Sequence, residues 1–182
     1  MNAWNVVRST MSRIAATAAG VVQSYAEVFF LSRRTVGLVL FVGTLLDWEV
    51  GVAGLIAVVS ALSFAKLAGL DERSRQSGYY AYNPLLVGLS LGANLSLSWL
   101  SALFIAVAGV LAFLLTAGLV HGLRYFLNLP ALSLPFVLAA AVTRTAALHY
   151  SALAPASRSI APFLSDDYGV PYYVAGFFKA LG

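Results

Sequence analysis

The clearest apolar run of the sequence limits the folds open to this chain more than any other feature. Residues 99–120, WLSALFIAVAGVLAFLLTAGLV, contain no charged side chain. A helix needs roughly 20 mostly apolar residues to cross a bilayer, so the run predicts a membrane-spanning helix. The whole chain is 60% hydrophobic and 10% charged, whereas soluble domains carry about 25% charged residues. These values predict an integral membrane protein and argue against a soluble enzyme or binding module.

Other apolar segments alternate with polar ones and predict an all-α membrane fold with about five transmembrane helices. Some of these segments are short or broken, and such half-helices must be covered by protein or water. Interrupted segments of this kind often mark the substrate site of a transporter. We expect the crossings at 35–46, 50–68, 84–93, 99–120 and 131–148, with polar loops at 69–78 and 121–130.

Basic residues gather on alternate loops, which predicts the orientation of the chain. The positive-inside rule places Arg33, Arg34, Lys66, Arg73, Arg75 and Arg124 in the cytoplasm. Residues 1–20 are interpreted as an N-terminal cytoplasmic segment that is amphipathic rather than a cleaved signal peptide. An odd number of crossings is what an inverted repeat requires, because a second copy would start upside down.

The stretch SYAEVFF (24–30) places a carboxylate beside a membrane segment. Intramembrane carboxylates are costly and usually functional. Glu27 and Phe30 are three residues apart and would share a helix face. Because Arg33-Arg34 interrupts the run, we expect a re-entrant helix near 24–32. The alternative is an interfacial Glu27 that pairs with Arg33 or Arg34, and the residues alone do not decide between the two.

The stretch GYYAYNPLLVGLSLGAN (78–94) combines aromatic residues with a helix start. Tyr82 and Leu86 are four residues apart and would share a face. Asn83 is predicted to cap the helix, with Pro84 in its first turn. Gly88 and Gly92 form a GxxxG pattern that allows close helix contact. The tyrosines could instead belong to an interfacial aromatic belt.

In NLPALSLPF (128–136), Ser133 stands between two prolines. If this segment is helical, Pro135 leaves the Ala131 carbonyl without a donor, so a hydroxyl and a carbonyl could both serve a pore. The alternative is an ordinary kinked span. No nucleophile–base pair, phosphate loop, metal cluster or basic-aromatic pattern appears in the sequence. The chain is therefore predicted to be neither an enzyme nor a nucleic-acid binder, and to use no cofactor or metal.

Together, YAEVFF (25–30), RSRQSGYYAYNPLLVG (73–88) and LPALSLPFVLA (129–139) resemble the urea transporter family over roughly residues 20–150. The resemblance implies two inverted halves, each with five spanning helices and a re-entrant half-helix. It also implies homotrimers and a multi-pass location in a bacterial inner membrane. By the same resemblance, the pore residues are Glu27, Val28, Phe30, Tyr82, Leu86 and Ser133. Tyr82 stands where Phe is common, and Ser133 stands where Thr is more frequent.

The implied function is passive, channel-type transport of urea through a slot of aromatic faces and oxygen acceptors. These acceptors replace the water stripped from the N–H groups of urea. Alternatives are a channel for another small neutral solute, such as ammonia or a short amide, and a non-conducting scaffold or sensor subunit. We expect the pore residues to converge on one cavity near the bilayer midplane.

The resemblance to the family implies that a stretch like FFKALG (177–182) leads into a second re-entrant helix, so that residues 180–182 of YYVAGFFKALG (172–182) would align with 24–26 of VVQSYAEVFF (21–30). We therefore expect 21–150 to be one membrane repeat and 151–182 a linker towards a second repeat. On this interpretation the chain supplies half of the pore. It would conduct only together with a second half or an oppositely oriented copy, and not as a monomer.

Overall fold

The computed structural model describes residues 3–29, 31, 33–150 and 153, and every element that it defines there is an α-helix. The helices are α1 (Ala3–Glu27), α2 (Arg34–Thr44), α3 (Trp48–Leu67), α4 (Glu72–Gln76), α5 (Tyr82–Asn94), α6 (Trp99–Leu127) and α7 (Leu134–His149).

Two of these helices, α3 and α6, are long and apolar enough to cross a membrane, with 20 and 29 residues. Helices α2, α5 and α7 are apolar but shorter, with 11, 13 and 16 residues. The predicted all-helical membrane fold is thus confirmed in its coarse form. The number of five crossings stays a prediction.

The predicted helix over 24–32 is wrong at its C-terminal boundary, because α1 already ends at Glu27. Residues 28 and 29 form a turn, in which the N–H groups of Phe29 and Leu31 both donate to the Ala26 carbonyl, at 3.2 and 3.1 Å. These bonds close the helix before Arg33. The boundary predicted between residues 20 and 21 falls inside α1, and the re-entrant character of 24–32 stays a prediction.

Two predicted loops contain helix. Helix α6 continues through most of 121–130 and ends only where Asn128 takes a left-handed backbone conformation, with φ 52°. Within 69–78, Asp71 caps the short helix α4 by accepting a hydrogen bond from the Ser74 N–H at 3.0 Å. The apolar pattern alone did not show either boundary, because both depend on local backbone hydrogen bonds.

Helix α3 is the central element, and its largest interfaces are with α5 and α6. The predicted close contact through Gly88 and Gly92 is confirmed at the α3–α5 interface. A methyl group at Gly88 would lie 2.6 Å from both the Ala53 carbonyl oxygen and the Ala57 Cβ. No larger side chain fits there without separating the helices.

The start of α5 is held against the end of α1 by Gly78. This residue has φ 75°, and a methyl group on it would lie 2.7 Å from the Gln23 carbonyl carbon. Glycine satisfies both the left-handed conformation and the close approach. The fold thereby brings Tyr79–Tyr82 beside the last turn of α1.

Candidate functional site

Glu27 is the last residue of α1, and its side chain is half-buried. One carboxylate oxygen accepts a hydrogen bond from the buried Gln23 amide, Nε2 to Oε1, at 3.0 Å. The two residues lie one turn apart on the same helix face. The Gln23 amide therefore orients the carboxylate and leaves its second oxygen available as an acceptor.

A cavity of about 690 Å³ lies beside this pair. Its lining carries two carboxylates and two guanidinium groups, together with two amides and a hydroxyl: Gln23, Glu27, Arg34, Glu72, Arg73, Gln76 and Ser77. Arg34 and Arg73, predicted to share the cytoplasmic side, thus lie at the same cavity. The described hydrogen bond of Glu27 is with Gln23 rather than with an arginine.

Tyr82 and Asn83 form the first turn of α5, and both side chains are buried, at 3% and 0% exposure. The Tyr82 hydroxyl donates a hydrogen bond to the Leu132 carbonyl. The Asn83 amide donates to the same carbonyl, with Nδ2 to O at 3.4 Å. Gly78, just before this turn, packs against the Gln23 backbone near the end of α1. One backbone carbonyl of the 128–133 segment is therefore tied to α5 by two side chains.

The role predicted for Asn83 as a helix cap is wrong, because α5 begins at Tyr82 and the capping position is Ala81. This register places Asn83 inside the first turn, where its amide reaches Leu132. Within the part of the chain that the structure describes, the buried Asn83 Oδ1 has no hydrogen-bond donor. An unpaired buried acceptor is unfavourable and marks a place where a donor would fit.

The prediction of a free Ala131 carbonyl is also wrong. Helix α7 starts at Leu134, so Pro135 stands in its first turn and breaks no helix. The Ala131 carbonyl accepts the Leu134 N–H at 3.1 Å. The carbonyl that meets α5 is instead that of Leu132, a residue with φ 43°. Ser133 occupies the capping position of α7, is exposed, and caps no backbone N–H.

The structure brings together some of the predicted pore residues. Tyr82 meets the segment that carries Ser133, and Gly78, just before α5, packs against Gln23, one turn before Glu27 on α1. Val28 lies in the turn after α1 and is half-buried, as is Leu86, one turn beyond Tyr82. Phe30 lies outside the described residues. The cavity beside Glu27 is not lined by Tyr82, Leu86 or Ser133, so their convergence on one cavity stays a prediction.

The sequence analysis missed three groups of the candidate site: the Gln23 amide, the Asn83 amide as a donor to Leu132, and the Leu132 carbonyl. The four-residue spacing of Gln23 and Glu27 was a usable signal. Nothing in the sequence pointed to Leu132, because its part is played by a backbone atom. Tyr80 packs against Phe113 with ring centroids 6.3 Å apart, and the interfacial aromatic belt stays an alternative interpretation of the tyrosines.

Two helices long and apolar enough to cross a membrane favour an α-helical membrane protein. The family model described as urea transporter matches residues 18–182, and the chain belongs to the urea transporter family. The match extends beyond the predicted 20–150. The activity of this family is the transport of urea across a membrane, so it comprises transporters and not enzymes.

Proposed function

We propose that this chain carries urea passively across a membrane, along a path that passes Glu27, Tyr82 and the 132–133 segment. The observation that supports this most directly is the meeting of α5 and the 128–133 segment through Tyr82, Asn83 and the Leu132 carbonyl. Polar groups among apolar helices are costly unless they are paired or serve a solute. The segment before α5 also packs against α1 one turn before Glu27, and this favours a solute path.

The chemistry of urea fits these groups. Urea is planar and neutral, with four N–H donors and one carbonyl, and it loses water when it enters a narrow pore. The free oxygen of the Glu27 carboxylate and the exposed Ser133 hydroxyl are acceptors that replace part of that water. The ring of Tyr82 supplies a flat face beside them. No coupling ion is needed, because the solute is neutral and moves down its gradient.

The finer features of the predicted channel belong to the same proposal. Phe30 forms the aromatic slot with Tyr82, and Val28 and Leu86 complete its apolar walls. Residues 21–150 form one repeat and one side of the path. A second inverted repeat or a further copy of the chain forms the other side, in a multi-pass trimer of complete protomers in a bacterial inner membrane.

The test is urea permeability in proteoliposomes that contain this chain together with the second repeat or further copy that completes the path, measured by stopped-flow light scattering. We expect saturable urea flux well above that of empty liposomes. Glu27→Gln keeps an acceptor oxygen and should retain most of the flux. Glu27→Leu leaves urea N–H groups unpaired and should reduce it about tenfold or more.

Three outcomes would contradict the proposal. Absence of flux from well-folded protein would favour a scaffold or sensor role. Flux of ammonia without urea would indicate a different solute. Equal urea flux from Glu27→Gln and Glu27→Leu would show that Glu27 does not lie on the solute path.

A further inference from the structure

The Leu132 carbonyl receives two donors, the Tyr82 hydroxyl and the Asn83 amide. A carbonyl oxygen has two lone pairs, so both of its acceptor sites are occupied. The donors come from consecutive buried residues at the start of α5. This arrangement does not relax easily, because α5 is packed tightly on α3.

The two donors differ in what they contribute. Asn83 has no exposed surface, and its amide bond to Leu132 is long, at 3.4 Å. The Tyr82 hydroxyl also donates to Leu132, and it is a single oxygen at the tip of a buried ring. The Tyr79 ring lies 6.2 Å from the Tyr82 ring, centroid to centroid. Loss of the hydroxyl alone would free one lone pair of Leu132 and leave the ring in place.

We propose that the Tyr82 hydroxyl is a specificity-determining group that occupies the Leu132 carbonyl and withholds it from the solute. This inference rests on the proposed urea path. With the hydroxyl present, the path offers one acceptor fewer to a solute rich in N–H donors. The penalty falls most heavily on urea, with four N–H groups, and less on a planar amide with two, such as acetamide.

The experiment compares urea and acetamide permeability for wild type and Tyr82→Phe in proteoliposomes. Tyr82→Phe should raise urea permeability about fivefold, the rate equivalent of one net hydrogen bond. Acetamide permeability should change less, so the urea-to-acetamide ratio rises. A loosened 128–133 segment would change both solutes together, and the ratio therefore separates specificity from a structural effect.

Tyr80→Phe is the matched control, because it removes a neighbouring hydroxyl that is not bonded to Leu132. It should leave the ratio unchanged. An unchanged or lower ratio in folded Tyr82→Phe, with urea flux in wild type, would overturn this inference alone. Absence of urea flux in wild type would overturn the proposed function and this inference with it.

Discussion

The C-terminal half of α5 and its first turn contact the rest of the molecule in different ways. Gly88 and Gly92 bring the backbone of α5 directly against α3. Tyr82 and Asn83 instead reach a backbone carbonyl on a distant segment. The first contact depends on shape and tolerates no added atom. The second depends on hydrogen bonds, which can be removed singly while the helix stays in place.

Gly88→Leu tests the close contact of α5 with α3 and should have the largest effect on folding. The new side chain meets the Ala53 carbonyl and the Gly54 Cα, and backbone atoms cannot move aside as a flexible side chain can. We expect destabilisation of about 3 kcal/mol or more and a loss of monodisperse protein. Unfolding in detergent and size-exclusion chromatography measure both.

Gly118→Leu is the control, because Gly118 on α6 has no atom within 4 Å of an added methyl group. It should be neutral or slightly stabilising, since it removes a flexible glycine from a helix. Equal stability of the two variants would show that the α3–α5 contact is not limited by space at Gly88.

Asn83→Leu tests the hydrogen-bonded contact of α5 with Leu132 and should have a smaller effect on stability. The change removes the weak bond to Leu132 and also removes Oδ1, an acceptor without a donor in the described structure. These two changes oppose each other, so we expect a net change within about 1 kcal/mol. Detergent unfolding again provides the measurement. A loss of several kcal/mol would show that Oδ1 has a partner in the folded protein.

Asp71→Ala should have the smallest effect, confined to α4 at the edge of the 690 Å³ cavity. Hydrogen bonds from Ser74 hold the pKa of Asp71 below its usual range. A carboxyl with a lowered folded-state pKa stabilises the fold above its unfolded-state pKa. That contribution is lost as the pH falls through the lower folded-state value. The cap is therefore fully effective at neutral pH.

At neutral pH, Asp71→Ala should speed hydrogen exchange within 71–77, whereas Asp71→Asn keeps a capping oxygen and should remain close to wild type. Helices α3 and α6 should show no change. Identical exchange in all three proteins would mean that the Asp71 cap does not hold α4.

Much of the scaffold was predictable because it depends on local composition. The apolar run 50–68 matches α3, and the run from Trp99 marks the start of α6. The GxxxG spacing also predicted a close helix contact, since two glycines four residues apart leave a flat helix face, but it did not identify α3 as the partner. Family membership was also predictable from the sequence, because three short motifs of the family occur together and in the same order.

The candidate site was less predictable because its polar contacts join distant residues. The sequence by itself indicated that a helix starts close to Tyr82 and that Tyr82 and Leu86 share one face of it. It did not determine the partner of the hydroxyl, a carbonyl 50 residues away. That choice follows from where α6 ends and from the left-handed backbone of Leu132. Apolar length is a property of the local chain, whereas a hydrogen-bond partner exists only once the helices have packed.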